Sequence, residues 1–311
     1  MKYKKILITG AAGFIGTNLC KKILENSDVE IIALDNLYTG TIENLNFVKK
    51  NKNFEFINHD VRNSFDINCD LIINLACPAS PIHYQKDKVF TAETSVLGAM
   101  NVCKNSLKYD SDIIHASTSE IYGDPLIHPQ NEGYFGNVNI NGIRSCYDEG
   151  KRFSETYIGD FCDKFDINFK ILRIFNTYGS FMNKNDGRVI SNFINQAING
   201  DNITIYGDGK QTRSICYVDD LINGILDISK LKERGIIVNI GNNNEVTILQ
   251  IAEKIIELTQ SKSKIIFEQL PQDDPKRRKP DLTKIKALID WENLTPIEEG
   301  LMKTINYFSN K

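Results

Sequence analysis

Short runs rich in β-branched and aliphatic residues, at positions 6–9, 30–35, 54–58, 71–75, 112–117 and 168–174, alternate with stretches whose apolar residues recur at helical spacing. The clearest of these helical stretches cover 14–26, 91–108 and 147–164. Strands that alternate with helices in this way build βαβ units, and the continuous apolarity of the runs predicts a parallel sheet covered on both faces. Beyond residue 175 the rhythm loosens. Helices are expected near 189–199, 219–229 and 248–260, strands near 204–206, 236–240 and 264–267, and two more helices at the C-terminal end. The stretch from 120 to 146, rich in Gly, Pro and Asn, shows no period and is long enough to serve as an active-site wall or lid.

At 311 residues the chain can bury a sizeable core without disulfides or metals. A formal charge of -3 gives no global attraction for nucleic acid or a membrane surface, so an anion site has to be local. The seven cysteines are scattered and never spaced C-x-x-C, which fits reduced thiols in the cytoplasm. No apolar stretch of signal length precedes the first strand pattern, and no run approaches a membrane span. The expectation is an unanchored cytoplasmic protein.

Directly after the first strand pattern, Gly10-Ala11-Ala12-Gly13-Phe14-Ile15-Gly16 opens a helix. Glycines there let the backbone approach a pyrophosphate, and the helix N-terminus supplies free amide groups and a positive dipole. Asp35 ends the second strand, placed to accept from a ribose 2′-hydroxyl and to repel a 2′-phosphate. No Arg follows in residues 36–40, so NAD is favoured over NADP. Asp60 and Val61, after the third strand, are placed to border the adenine, although a surface Asp that caps the next segment accounts for Asp60 nearly as well. These features predict a doubly wound, Rossmann-like α/β fold. The domain reading is an NAD-binding domain over 1–175 and a smaller α+β substrate-binding region over 176–311, with a segment near 214–240 returning to the first sheet.

Tyr147 and Lys151 stand at i and i+4 on one helix face, where an ammonium can lower a phenol toward use as a general base. The spacing alone decides nothing, because Tyr84/Lys88, Tyr206/Lys210 and Tyr307/Lys311 share it. Position singles out Tyr147: its helix follows the fifth strand, at whose carboxyl end lie Ser117-Thr118-Ser119-Glu120, and ligands of open α/β sheets bind at those ends. Thr118 and Glu120 join the candidate site on that ground. Arg213 and the Arg277-Arg278 pair are local cations suited to phosphate or carboxylate, although on sequence arithmetic alone a solvated basic face is the better account of 276–279. The four histidines show no metal-ligand spacing, and His115, inside a strand, reads as a satisfied core residue.

Over nearly its whole length the chain resembles the extended short-chain dehydrogenase/reductases and, within them, the UDP-glucuronate decarboxylases. The particular marks are Pro78-Ala79-Ser80-Pro81 leading to His83-Tyr84-Gln85, then Cys146-Tyr147-Asp148-Glu149-Gly150-Lys151-Arg152, and Asp273-Asp274-Pro275 leading to Arg277-Arg278-Lys279-Pro280-Asp281. The resemblance implies that Tyr147, helped by Lys151 and Thr118, takes the proton of the sugar C4 hydroxyl while NAD takes the hydride. Carbon dioxide then leaves the resulting β-keto acid, and return of the hydride gives UDP-xylose. It also implies that Glu120 and Arg277 assist the decarboxylation. Tyr84, Ser119, Asn176, Arg213 and Arg278 would hold the UDP-sugar, and the motif alone does not divide the duties of Arg277 and Arg278. The implied cofactor contacts are Gly10, Gly13, Phe14, Ile15, Gly16, Asp35, Asn36, Thr39, Gly40, Asp60, Val61, Leu75, Ala76, Thr177 and Arg188, beside Tyr147 and Lys151. Asn74 and Ser180-Phe181 depart from the usual pattern without touching the Tyr/Lys pair. A homodimer through the helices near 91–108 and 147–164 is also implied. The competing readings are a nucleotide-sugar 4,6-dehydratase or 4-epimerase, and a non-catalytic NAD-binding scaffold or sensor.

Overall fold

The computed structural model describes residues 2–269, 277–292 and 294–310, and the Asp273-Asp274-Pro275 block and Lys276 lie outside them. The chain begins with β1 (Lys5–Thr9), α1 (Phe14–Asn26), β2 (Glu30–Asp35), β3 (Phe54–Asn58) and β4 (Leu71–Asn74). Then come α2 (Pro81–Lys86), α3 (Lys88–Tyr109), β5 (Asp112–Thr118), α4 (Ser145–Phe165), β6 (Phe169–Ile174) and β7 (Thr177–Tyr178). The remainder holds α5 (Val189–Asn199), β8 (Ile203–Tyr206), β9 (Thr212–Ser214), β10 (Cys216–Tyr217), α6 (Val218–Lys230), β11 (Ile236–Ile240) and β12 (Glu245–Thr247). It ends with α7 (Ile248–Thr259), β13 (Ile265–Glu268), β14 (Arg277–Arg278), α8 (Thr283–Leu288) and α9 (Ile297–Ser309).

Seven strands form one parallel sheet in the order β11-β6-β5-β4-β1-β2-β3. Alternation along each strand feeds two cores. Ile6 and Ile8 of β1, with Ile31 and Ala33 of β2, face the core on one side of the sheet. Leu7, Ile32 and Leu34 face the other core, which α3 and α4 cover with Ala99, Val102, Ile158 and Cys162. The strand order reverses at β1, with β2 on one side and β4 on the other, and the loops leaving β1 and β4 diverge there to open the main cleft.

Of the stretch near 214–240, Ile236–Ile240 joins the main sheet, while Cys216–Tyr217 pairs with Thr177–Tyr178 in a separate ribbon. Strand β14 lies parallel to β9, with Arg278 opposite Arg213. Helix α2 was not legible in the periodicity: Pro81 sits in its first turn after Ser80, and six residues are too few to show a repeat. The stretch 120–146 is largely irregular, yet it is tied down. Arg152 donates to the carbonyls of Ile121 and Phe135 at 2.8 and 2.9 Å, and the Gln130 backbone bonds to Lys279 and Asp281 on either side of Pro280.

Candidate active site

The cleft encloses about 730 Å³ and runs from the β1–α1 turn to the ends of β5 and β14. At its dinucleotide end Gly10 has φ +70°, and a Cβ there would lie 2.9 Å from the Ala76 nitrogen and the Leu75 carbonyl carbon. A Cβ on Gly16 would meet the Gly10 oxygen at 2.3 Å, so turn and helix approach as closely as glycine allows. Gly13 caps α1 without a side chain, which leaves the first-turn amides of Phe14, Ile15 and Gly16 for an anion. Asp35 is held by the amides of Ala12 and Leu37 at 2.9 and 2.7 Å. Burial pushes its carboxyl above the usual range, against the pull of those two amides.

Gly13, Phe14, Ile15, Asn36, Thr39, Val61, Leu75, Ala76, Thr177 and Arg188 all line the cleft with Gly10, Gly16 and Asp35. Gly40 and Asp60 do not. A Cβ on Gly40 would lie 3.0 Å from the Asp35 carboxylate, so this glycine supports that carboxylate from behind. Asp60 turns away to pair with Arg62 at 3.0 Å and to accept from Asn36 at 3.1 Å, because a cation two residues along offers it a closer partner than the cleft. The cradle thus fits a dinucleotide, with Asp35 and Val61, but not Asp60, in its lining.

At the other end, Tyr147 and Lys151 are buried on α4, and the Lys151 ammonium donates to the Ala116 carbonyl at 2.8 Å. That bond aims the lysine along the end of β5. Burial lowers the Lys151 pKa. Burial also raises that of Tyr147, outweighing the opposite pull of the Thr118 hydroxyl bonded to it and of the nearby Arg188. The lowered phenol expected from the Tyr/Lys spacing is therefore not produced by these side chains alone. The Tyr84 ring stacks on that of Tyr147, with centroids 5.2 Å apart and planes 4° from parallel.

Glu120 projects from the short 3-10 turn that follows β5, where the Thr118 side chain accepts from its amide at 3.2 Å. Its carboxylate takes both terminal nitrogens of Arg278 and one of Arg144. Arg277 is a correction: it is exposed and outside the cleft, because successive strand residues face opposite sides and β14 commits Arg278 inward. Ser119, Asn176, Arg213 and Tyr84 also line the cleft. Among the described residues, four buried polar atoms of cleft-lining side chains have no hydrogen-bond partner, namely the Tyr84 hydroxyl, the Ser119 hydroxyl and Nε of Arg144 and of Arg278. Buried polar atoms rarely stand alone, so their presence in one cleft is consistent with a polar ligand there.

Arg144 was missed in the sequence, although its place one helical turn before Tyr147 is a readable signal. Also missed was a buried network below the site. Arg173 grips both oxygens of Glu155 at 2.8 to 3.2 Å and donates to the Tyr122 hydroxyl at 3.0 Å, and the Ser117 hydroxyl bonds the same glutamate. Glu155 is one turn beyond Lys151. His115 is buried as expected but only half satisfied: Nδ1 meets Asn74 at 3.0 Å while, among the described residues, Nε2 has no partner. Among the described residues no group of His, Cys, Asp or Glu is arranged to hold a metal ion.

Residues 6–241 match the NAD dependent epimerase/dehydratase family. UDP-glucuronic acid decarboxylase 1 of Danio rerio is 46% identical over 308 residues, covering 99% of this chain and 73% of that protein. UDP-glucuronic acid decarboxylase 5 of Arabidopsis thaliana is 47% identical over 297 residues, covering 96% and 87%. Among solved structures, the UDP-glucuronic acid 4-epimerase of Bacillus cereus, in complex with UDP-glucuronic acid and NAD, superposes with a TM-score of 0.89 at 27% identity, covering 98% and 99%. With that sequence similarity over nearly its full length, and with the glycine cradle, the Tyr147/Lys151 pair and the Glu120–Arg278 pair in one cleft, the chain belongs to the NAD dependent epimerase/dehydratase family and, within it, to the UDP-glucuronic acid decarboxylases.

Proposed function

We propose that the protein converts UDP-glucuronate to UDP-xylose and carbon dioxide with NAD, and that Tyr147 is the base that opens the reaction. The observation that carries this reading is the union, at the ends of β5 and α4, of a buried Tyr/Lys pair with a carboxylate gripped by two guanidinium groups. Bound NAD would supply an acceptor and later a donor of hydride at the sugar C4, held by the amides of Phe14–Gly16, by Asp35 and by the walls at Leu75 and Ala76.

The chain's own residues handle position and protons. Thr118 and Lys151 hold the Tyr147 hydroxyl against the sugar C4 hydroxyl, whose proton Tyr147 accepts and afterwards returns. Oxidation at C4 places a ketone β to the carboxylate, so the carbon–carboxylate electron pair has somewhere to go. Arg278, Arg144 and Glu120 orient that end of the sugar, and Arg213, Asn176 and Arg188 hold the nucleotide diphosphate and the cofactor.

Purified protein given UDP-glucuronate and NAD is expected to yield a UDP-pentose with no net reduced nucleotide, read by chromatography and mass spectrometry. A UDP-hexuronate epimer as the product would move the reading to a 4-epimerase, the activity named for the Bacillus cereus neighbour. Tyr147→Phe is expected to lower turnover by roughly 10²–10⁴, the usual worth of a general base. NAD binding that survives in an inactive wild type would mark a scaffold.

The reading includes a homodimer and a cytoplasmic location. The outer side of α4 carries a ladder of Phe153, Tyr157, Phe161 and Phe165 with successive centroids 6.1, 5.8 and 4.6 Å apart, and α3 beside it exposes Val89, Leu97 and Leu107. An exposed apolar face of this kind suits a second copy. All seven cysteines are free, and among the described residues no helix is long and apolar enough to cross a membrane.

A further inference from the structure

The proposed reaction consumes one proton: the carboxylate leaves as carbon dioxide and a hydrogen takes its place on C5. Tyr147 does not supply it, since the proton it takes from the C4 oxygen must go back there when the ketone is reduced. A second acid is required, and the cleft offers few. Glu120 accepts from Arg278 and Arg144 and has no proton to give. The Cys77 thiol is paired with the Ser95 hydroxyl at 3.2 Å. His83 is bonded through Nδ1 to Ser80 at 2.7 Å, and burial lowers its pKa against the pull of Asp186.

Tyr84 remains. It is 1% exposed, lines the cleft, and its hydroxyl has no hydrogen-bond partner among the described residues. Its ring lies parallel to Tyr147, so two phenols stand side by side on one wall. C5 is bonded directly to C4, so a sugar engaged by Tyr147 at its C4 oxygen has C5 beside the wall that these two rings form. Arg144, 6.0 Å from the Tyr84 ring, and Arg278 both act on the Tyr84 phenol electrostatically and favour the phenolate that proton donation leaves behind.

We propose, on the decarboxylase reading, that Tyr84 is the proton donor to C5. The C5–carboxylate bond breaks and its electron pair forms the enolate with the C4 ketone. The enolate carbon then takes the Tyr84 hydroxyl proton, the C4 carbonyl is restored, and water entering the cleft reprotonates the phenolate. An α-keto carbanion is far more basic than a phenolate, so the transfer runs downhill even with the phenol's acidity suppressed by burial.

The test compares wild type with Tyr84→Phe, which keeps the stacked ring, using UDP-glucuronate and NAD in deuterium oxide. Absorbance of the reduced nucleotide in a single turnover follows oxidation at C4, and proton NMR of the product reads which face of C5 carries deuterium. The expected result is UDP-pentose formation slowed at least tenfold more than oxidation at C4, and by as much as roughly 10²–10⁴, with residual product deuterated on both faces. The proposal is overturned if product formation slows less than tenfold more than oxidation does, or if deuterium stays on one face. Should Tyr84→Phe not fold, 3-fluorotyrosine at position 84, which changes only the acidity of the phenol, replaces it, and a product-formation rate unmoved by that change overturns the proposal equally. A wild type that releases no carbon dioxide from UDP-glucuronate refutes the functional reading instead, and that control is run first.

Discussion

Two adjacent arginines show how far single residues can be read from a sequence. Arg277 and Arg278 are chemically identical there, and only their strand separates them: β14 pairs parallel with β9 and turns Arg278 inward opposite Arg213. Arg278→Ala is expected to cost turnover by roughly 10² or more, since it leaves Glu120 short of its bidentate partner, while Arg277→Ala stays within about twofold; steady-state kinetics of the two variants checks this. Tyr147 and Lys151 were legible because residues four apart share a helix face and the preceding strand end marks the ligand side. The phenol's acidity was not legible, because burial depends on everything that packs around it. His115 carries a pH prediction. Burial holds its pKa well below the ordinary value of 6.5, so below about pH 6.5 the unfolded chain binds a proton that the folded one refuses. Stability therefore falls as pH drops from about 6.5 toward the folded pKa, by up to about 1.4 kcal/mol per pH unit from this one group. Urea unfolding between about pH 7.5 and 5 is expected to show that loss, and His115→Gln to flatten it.

Helix α4 presents two stripes. Tyr147, Lys151 and Glu155 follow one another at i, i+4 and i+8 on the inner side, while the ladder beginning at Phe153 runs along the outer side. The inner stripe ends in the Glu155–Arg173 pair, whose side chains are 10% and 12% exposed. Breaking one partner of a buried pair strands the other charge, so Glu155→Gln is expected to destabilise by roughly 3–5 kcal/mol, read from the urea midpoint. The same variant is expected to disturb Lys151 one turn away, because Glu155 supports the ammonium electrostatically. The long elements stood out in the sequence because each carries several repeats of its period. The strands β7, β9, β10 and β14 did not, since two or three residues contain no period and their pairing is set by distant segments.

For the molecule as a whole, the apolar outer faces of α3 and α4 predict the assembly state. Light scattering is expected to give twice the 35.3 kDa chain mass, and Phe161→Glu to shift it toward the monomer, because a charge in the middle of the ladder would be buried without a partner. The glycine cradle, the main-sheet strands and the helix of Tyr147 and Lys151 were all legible in the amino-acid pattern, since each is defined by residues close together along the chain. The boundary between cofactor and substrate halves was less so, since the chain crosses it more than once: β11 comes back to the sheet from beyond residue 235.

That late return has a consequence during synthesis. Until residue 240 has left the ribosome, β6 is a bare parallel edge, with the amide and carbonyl row from Phe169 to Ile174 open to any passing strand. A nascent chain pausing between those two points is a sticky intermediate, and a fragment cut at residue 175 is expected to need a chaperone to stay out of inclusion bodies.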